Sequence, residues 1–518
     1  MLARVHSAAT LGLEARVLDV EVDASDGFPR FTIVGLPDAS VREARERVRA
    51  ALKNGGFPFP GGAVTVNLAP ADFRKCGAAL DFPVAVGLLW HAGVRSVAPV
   101  RRVFVGELGL GGEVRAVRGA LCLALAARDA GFEEILLPES CALEASAVAG
   151  IRVVPVGHLS EAVAHLQGTR PIPYLEPAIG AAPIQPLLDF AEVRGQAVAR
   201  RAAEIAAAGG HHLLLTGPPG AGKTMLARRL PGILPPLSRS EAIEVTRIHS
   251  VAGALPPGGG LLEAAPFRAP HHGISSASLI GGGTRPSPGE ISLAHRGALF
   301  LDELPEFRRD VLEAIRQPLE ERRVRIVRVN GACDFPCDVL LVAAMNPCPC
   351  GYLGDPRRSC ACDPRERFRY ARRVSGPLLD RIDLRISVGA VDWKDLGSSG
   401  GGERSEAIRA RVSQARSRAG RRRPDCPGFR NADLSAQELG HHGALDAAGK
   451  KLLEAAFERL HLSVRALHRA LRVARTIADL ESSERIRTPH LAEALSYRGF
   501  GIAAACPQEQ VDSGGRAS

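Results

Sequence analysis

The chain has 518 residues, and its 66 Lys and Arg against 56 Asp and Glu leave a formal net charge of +10. That length is more than one core organises and predicts about three domains, which excludes a small disulfide-stapled scaffold. The charge suits a polyanionic partner such as nucleic acid, and no apolar run approaches the roughly 20 residues that a bilayer-crossing helix needs.

The first residues hold no basic segment leading into an apolar stretch, so the chain is expected in the cytoplasm, with no membrane partner. Its 11 cysteines, an odd number, do not read as a disulfide framework there. Residues 1–168 alternate Val-rich strand candidates ("ARVLDVEVDA", "RFTIVGL", "GAVTVNLAP", "RVFVGELGL", "IRVVPV") with helical stretches ("SVREARERVRAALKNGG", "RGALCLALAARDAG"). This is an α+β pattern with a core of its own. Residues 169–187 hold five prolines and predict an extended connector.

Residues 188–395 alternate strand and helix as a parallel sheet does. Here "LLLTGPPGAGKT", residues 213–224, gives a short buried strand, a glycine loop and the start of an amphipathic helix. In that geometry Gly217, Pro218, Pro219, Gly220, Ala221 and Gly222 form a loop whose N–H groups cradle the phosphates of ATP. Lys223 reaches the β/γ oxygens and Thr224 ligates Mg²⁺. "GALFLDEL", residues 297–304, is an apolar strand ending in two acids: Asp302 for the Mg²⁺ shell and Glu303 to orient the attacking water. Between these motifs lies "FRAPHHGISSASLIGGG", whose adjacent His271 and His272 lack acidic partners in sequence and read as part of a mobile loop facing a pore rather than as a metal pair. "RRVRIVRVNGACDFPCDVLLV" predicts a β-hairpin whose exposed Arg325 and Arg328 would touch a phosphate backbone; the alternative is a solvated strand face.

"LVAAMNPCPCG" then sets Asn346 at the end of another apolar strand, positioned to act on water at the γ-phosphate. Directly after it, residues 348–362 contain two C-x-C pairs nine residues apart. Cys348, Cys350, Cys360 and Cys362 would surround one tetrahedral Zn²⁺ and brace a loop attached to Asn346. Cys333 and Cys337 stand as alternative ligands or as packing residues. Residues 396–406 form a Gly/Ser-rich joint, 407–506 are mostly helical with "LSVRALHRALRVARTIADLE" the strongest segment, and 507–518 form a polar tail expected to be disordered.

With "SGPLLDRIDL" and "LSVRAL" added to the phosphate motifs, the chain resembles the AAA+ ATPases of the magnesium chelatase-like group and, more closely, the YifB/ComM family. That family runs from a Lon-protease-like N-terminal domain (ribosomal S5 domain 2-like) through an AAA+ module to a helical C-terminal lid. The likeness extends from "TIVGLPDASVREARERVRAAL" to "RVARTIADLE", nearly the whole chain. It implies Asn346 as the sensor-1 residue, Arg381 as an arginine finger supplied to a neighbouring subunit, Arg465 as the sensor-2 arginine, and a ring, expected to be a hexamer. The physical reason for arginine is its guanidinium fork, which stabilises γ-phosphate charge bidentately.

The Lon-like resemblance raises a protease reading that the residues oppose: Ala79 stands at the nucleophile position, "EVRAVRGALCLAL" lacks the partner lysine, and Cys76 has no evident base. Three functions compete. The first is an ATP-driven ring translocating on single-stranded or branched DNA and promoting branch migration of incoming DNA. The second is a magnesium chelatase motor inserting Mg²⁺ into a porphyrin, against which the Lon-like domain and the cysteine insert count. The third is a non-catalytic ATP-binding scaffold, which intact Glu303, Asn346 and Arg381 oppose.

Overall fold

The computed structural model describes residues 2–75, 77–94, 96–176, 188–256, 258–283, 286–328, 331–389, 402–460 and 462–498. The expected tail at 507–518, Cys76, residues 177–187 of the connector and 396–401 of the Gly/Ser joint lie outside these. The rest of the joint is coil at 402–404 and helical from Ser405.

The chain is mixed α/β, with two large sheets. The first has seven strands: β1 (Ala3–Leu11), β2 (Glu14–Ser25), β3 (Arg30–Val34), β4 (Ala63–Ala69), β5 (Arg102–Phe104), β6 (Glu134–Pro138) and β7 (Arg152–Val156). They lie in the order β3-β4-β2-β1-β5-β6-β7. β1 and β2 pair antiparallel and turn through Gly12, whose φ of 62° suits glycine. On β2 the period-two pattern turns Leu18, Val20 and Val22 inward.

Helix α1 (Ala39–Asn54) starts where the Asp38 side chain accepts the Val41 N–H, and it buries Val41, Ala44, Val48, Ala51 and Leu52 at helical spacing. α2 (Asp81–His91) is apolar almost all round and sits inside this half. Its buried Asp81 is clamped by Arg47, whose Nε and Nη2 donate at 2.6 and 3.0 Å. α3 (Ala120–Asp129) and α4 (Glu139–Ser146) cover the other end of the sheet.

The second half begins with α5 (Ala197–Gly209) and holds five parallel strands: β8 (Leu213–Thr216), β9 (Phe267–Arg268), β10 (Ala298–Leu301), β13 (Leu340–Met345) and β14 (Leu384–Ser387). They lie in the order β9-β10-β13-β8-β14. Before β13 comes the predicted hairpin, β11 (Arg323–Arg328) against β12 (Gly331–Pro336). Central strands are buried on both faces: Leu213 and Leu215 join one cluster and Leu214 another, which is why they read as unbroken apolar runs. α6 (Lys223–Ile233) follows β8, and α7 (Arg239–Ala252) turns back toward the first half. There Gly119 N–H donates to Ser250 O at 3.2 Å and Arg247 Nη2 to Leu13 O at 2.8 Å. Next come α8 (Pro364–Ala371) and the C-terminal helices α9 (Ser405–Arg421) and α10 (Val464–Leu480). α10 packs Ala470, Val473, Ala474 and Ile477 into the cluster shared with α5 and α6.

No helix among the described residues is long and apolar enough to cross a membrane.

Candidate active site

A parallel sheet brings the carboxyl ends of all its strands to one edge, so the loops after β8, β9, β10 and β13 meet there. After β8, a Cβ on Gly217 would lie 2.1 Å from the Val388 carbonyl oxygen, so only glycine fits. Gly220 and Gly222 take φ of 77° and 87°, with open space where a side chain would be. α6 starts at Lys223, leaving its first N–H groups free toward the loop formed by Gly217, Pro218, Pro219, Gly220, Ala221 and Gly222.

Lys223 is buried, and its amine donates to Gly217 O at 2.7 Å, Pro218 O at 2.9 Å and Asn346 Oδ1 at 3.1 Å. Burial lowers its pKa, against the Asp302 and Glu303 carboxylates, which raise it. Thr224 Oγ1 donates to Asp302 Oδ2 at 2.7 Å. The glycine loop, a short hydroxyl beside a carboxylate and a lysine amine make a donor set that fits a nucleotide triphosphate with its Mg²⁺.

Glu303 follows with φ 53° and ψ 47°, a left-handed backbone that costs a non-glycine residue about 1–2 kcal/mol. Its N–H donates to Asp302 Oδ1 at 3.0 Å, and its carboxylate lies 3.4 Å from His272 Nδ1. Here the structure differs from the reading of His271 and His272 as pore-facing. Paired to β10, the two-residue strand β9 brings both to the same sheet edge, where their ring centroids lie 4.0 Å apart with the planes tilted by 35°. With Thr224, Arg228, Asp302 and Glu303 they line a cavity of about 270 Å³. Arg228 was also missed in sequence; it falls four residues after Thr224 on α6, hence on the same face.

Arg381 and Arg465 are brought together, but away from this cavity. Arg381 is buried, donates from Nη1 to Pro377 O at 2.7 Å, and pairs through Nη2 with Glu320 at 2.6 Å. Exposed Arg465 approaches the same Glu320 oxygen at 3.7 Å. Arg381 and Glu320 line a separate, arginine-rich cavity of about 190 Å³ with Arg322, Arg430, Arg469 and Arg472.

The four thiols of Cys348, Cys350, Cys360 and Cys362 lie within 4.8 Å of one another. Cys348 Sγ is 3.4 Å from Cys350 Sγ and 3.5 Å from Cys360 Sγ. Tetrahedral thiolates at a Zn–S distance near 2.3 Å stand about 3.8 Å apart, so the set fits zinc. Backbone N–H donors, that of Tyr352 foremost, lower the Cys350 thiol to about 6, which favours the ligating thiolate. Cys333 and Cys337 are not part of this cluster. Both are buried in the hairpin core, and Cys337 Sγ donates to Pro318 O at 3.5 Å. The knuckle also touches the phosphate loop: at Gly351, φ 86°, a Cβ would sit 2.6 Å from Pro219 Cδ.

On the hairpin, Arg325 is exposed with a loose 3.8 Å pairing to Asp334, and Arg328 Nε donates to Gly283 O at 3.3 Å. In the first half Ala79 occupies a 3₁₀ turn, while Lys75, unremarked in sequence, is fully buried and donates to Pro70 O.

Comparisons with known proteins cover most of the chain. The family described as "Subunit ChlI of Mg-chelatase" matches residues 20–141, "Magnesium chelatase, subunit ChlI" matches 189–396, and "Magnesium chelatase, subunit ChlI C-terminal" matches 402–498. The chain is 43% identical over 507 residues to the competence protein ComM of Haemophilus influenzae, covering 96% of this chain and 98% of that protein. It is 42% identical to the uncharacterised protein YifB of Salmonella typhimurium, covering 96% and 97%, and to an uncharacterised protein of Mycobacterium tuberculosis, covering 96% and 99%.

Proposed function

The chain belongs to the YifB/ComM family of magnesium chelatase-like AAA+ proteins, and from that premise we propose that it is an ATP-hydrolysing ring motor that works on DNA, promoting branch migration as incoming DNA is recombined. The observation that carries the ATPase is the double pairing across one sheet edge, Thr224 with Asp302 and Lys223 with Asn346. Residues Gly217 to Thr224 cradle the phosphates. Thr224 and Asp302 would hold Mg²⁺, which would supply charge neutralisation to the phosphates when bound. Glu303 orients the attacking water, and Asn346 positions it against the γ-phosphate. Arg381 acts on the nucleotide of a neighbouring subunit, which fits its position off the cavity of its own chain, and Arg465 serves as a second sensing arginine. Hydrolysis then depends on assembly, into a hexameric ring. Zinc at the four cysteines fixes the knuckle against the phosphate loop, and the first half serves as a binding or assembly module of Lon-like fold without the protease dyad.

The DNA reading draws support from the name of the Haemophilus relative, the net charge of +10 and the exposed arginines of the hairpin. The family descriptions also name a chelatase, so a motor inserting Mg²⁺ into porphyrin is the second reading. One ATPase assay separates them, with junction DNA added to one sample and porphyrin with Mg²⁺ to another. The DNA motor is stimulated by the junction, exchanges its strands only with hydrolysable ATP, and loses binding steeply with salt. Stimulation by porphyrin alone overturns it.

A further inference from the structure

Five arginines and one glutamate occupy residues 364–373, "PRERFRYARR", directly after the knuckle. Asp363 caps α8 by accepting the Glu366 N–H at 2.7 Å, so the residue directly after the knuckle sets where the helix starts. Phe368 and Arg369 on its outer face, with Arg372 and Arg373 just past its end, form one wall of a groove of about 630 Å³. The other wall is the segment from Pro305 to Arg309, which begins two residues after Glu303.

A charge run on a helix is usually a solvated face, and two observations set this one apart. Phe368 stands 50% exposed in the groove, with the Arg372 guanidinium 5.2 Å from its ring centroid. Arg369 and Arg372 are exposed and form no ion pair with any described residue. Cationic side chains around a half-exposed aromatic ring are what a single nucleic-acid strand requires, phosphates on the arginines and a base on the ring's remaining exposed surface.

The groove is also wired to the ATP site. On the inner side of α8, Tyr370 is buried beside the Asn346 backbone, whose influence lowers the hydroxyl pKa against the larger upward push of burial. On the facing wall, Arg373 Nη1 donates to both Glu306 oxygens at 2.9 Å. Phe307 meets the His272 ring edge-on at 6.4 Å, and His272 faces Glu303.

We infer that this groove is a second nucleic-acid site, taking a single strand with phosphates on Arg369 and Arg372 and a base stacked on Phe368, and that it reports occupancy to Asn346 and Glu303. The inference rests on the DNA-motor reading and assigns the strand a site apart from the hairpin. Anisotropy of labelled oligothymidine with full-length protein, Mg²⁺ and a slowly hydrolysed ATP analogue tests it. The double variant Arg369→Ala/Arg372→Ala should bind about tenfold more weakly and flatten the salt slope by about 1.4, since each single-strand phosphate contact contributes about 0.7. Phe368→Ala should weaken binding about fivefold or more with the slope unchanged, because stacking releases no counterions. Iodouracil-substituted strand should photocross-link to Phe368 in the unaltered protein. Unchanged affinity and slope in the double variant, or a loss of assembly instead of strand binding, overturns the site and leaves the motor reading intact. If the unaltered protein binds no strand, both fall together.

Discussion

Glu303 holds its carboxylate at the nucleotide cavity from a left-handed backbone, with His272 as its neighbour 3.4 Å away. Its position, rather than its affinity for nucleotide, is what the surrounding loop enforces. Glu303→Gln should therefore bind ATP as the unaltered protein does and hydrolyse it about a hundredfold more slowly, a loss of about 3 kcal/mol of transition-state stabilisation. Lys223→Ala should fail earlier, at binding, because the amine that now bonds Gly217 O and Pro218 O is the one proposed to hold phosphate oxygens. Fluorescent-nucleotide titration and single-turnover hydrolysis separate the two. Normal turnover in Glu303→Gln would remove its role as the water-orienting group.

The knuckle at 348–362 joins three parts that a reader of the chain meets separately: β13 with Asn346, the phosphate loop through Gly351 and Pro219, and α8 through Asp363. About one zinc per chain is expected by elemental analysis of protein purified without added metal. Stripping it with a strong chelator should raise hydrogen exchange in α8 and at Asn346 before the rest of the sheet responds, and fully reduced, folded protein without zinc refutes the assignment. Motifs of this kind were legible because each is contiguous. The glycine loop, the acidic strand end and the paired cysteines carry their spacing in a few residues, as does the β11–β12 hairpin. What was not legible is what the sheet edge assembles. Strand β9 has two residues, too few to show a period, yet the segment it starts sets His271 and His272 in the cavity with Asp302 and Glu303. Tyr370 and Glu320 carry no local signature either; only folded contacts tie one to Asn346 and the other to two arginines. Helix α2 escaped for a related reason, since a segment buried on nearly all sides shows no amphipathic alternation.

At the scale of the molecule, Arg381 lies away from its own cavity, so its loss should be complemented. Arg381→Ala should bind ATP without hydrolysing it, and mixing with Lys223→Ala should restore part of the activity, because some interfaces then pair an intact loop with an intact arginine. Co-assembled rings that stay inactive exclude action across subunits. The contact between the two halves should respond to pH. Burial pushes Glu144 of α4 up to about 7, countered by Ser250 of α7 and the Leu121 N–H. With the folded value raised, its protonated form is the favoured one: stability is fully present below the ordinary value of 4.5 and declines by about 3 kcal/mol as pH rises through about 7. Glu144→Gln should flatten the dependence of melting temperature on pH over that window, and an unchanged profile refutes it. Gly12, finally, turns β1 into β2 directly against the hairpin, where a Cβ would lie 2.9 Å from both Cβ and Sγ of Cys333. The arginine-bearing hairpin is thus backed by a seven-stranded sheet, and on the proposed motor reading a force on the arginines of β11 would be borne by that mass instead of being absorbed by a flexing loop. Gly12→Ala should act like a slipping clutch: ATP turnover persists while fewer base pairs are exchanged per ATP consumed, a coupling ratio that parallel ATPase and strand-exchange measurements read directly.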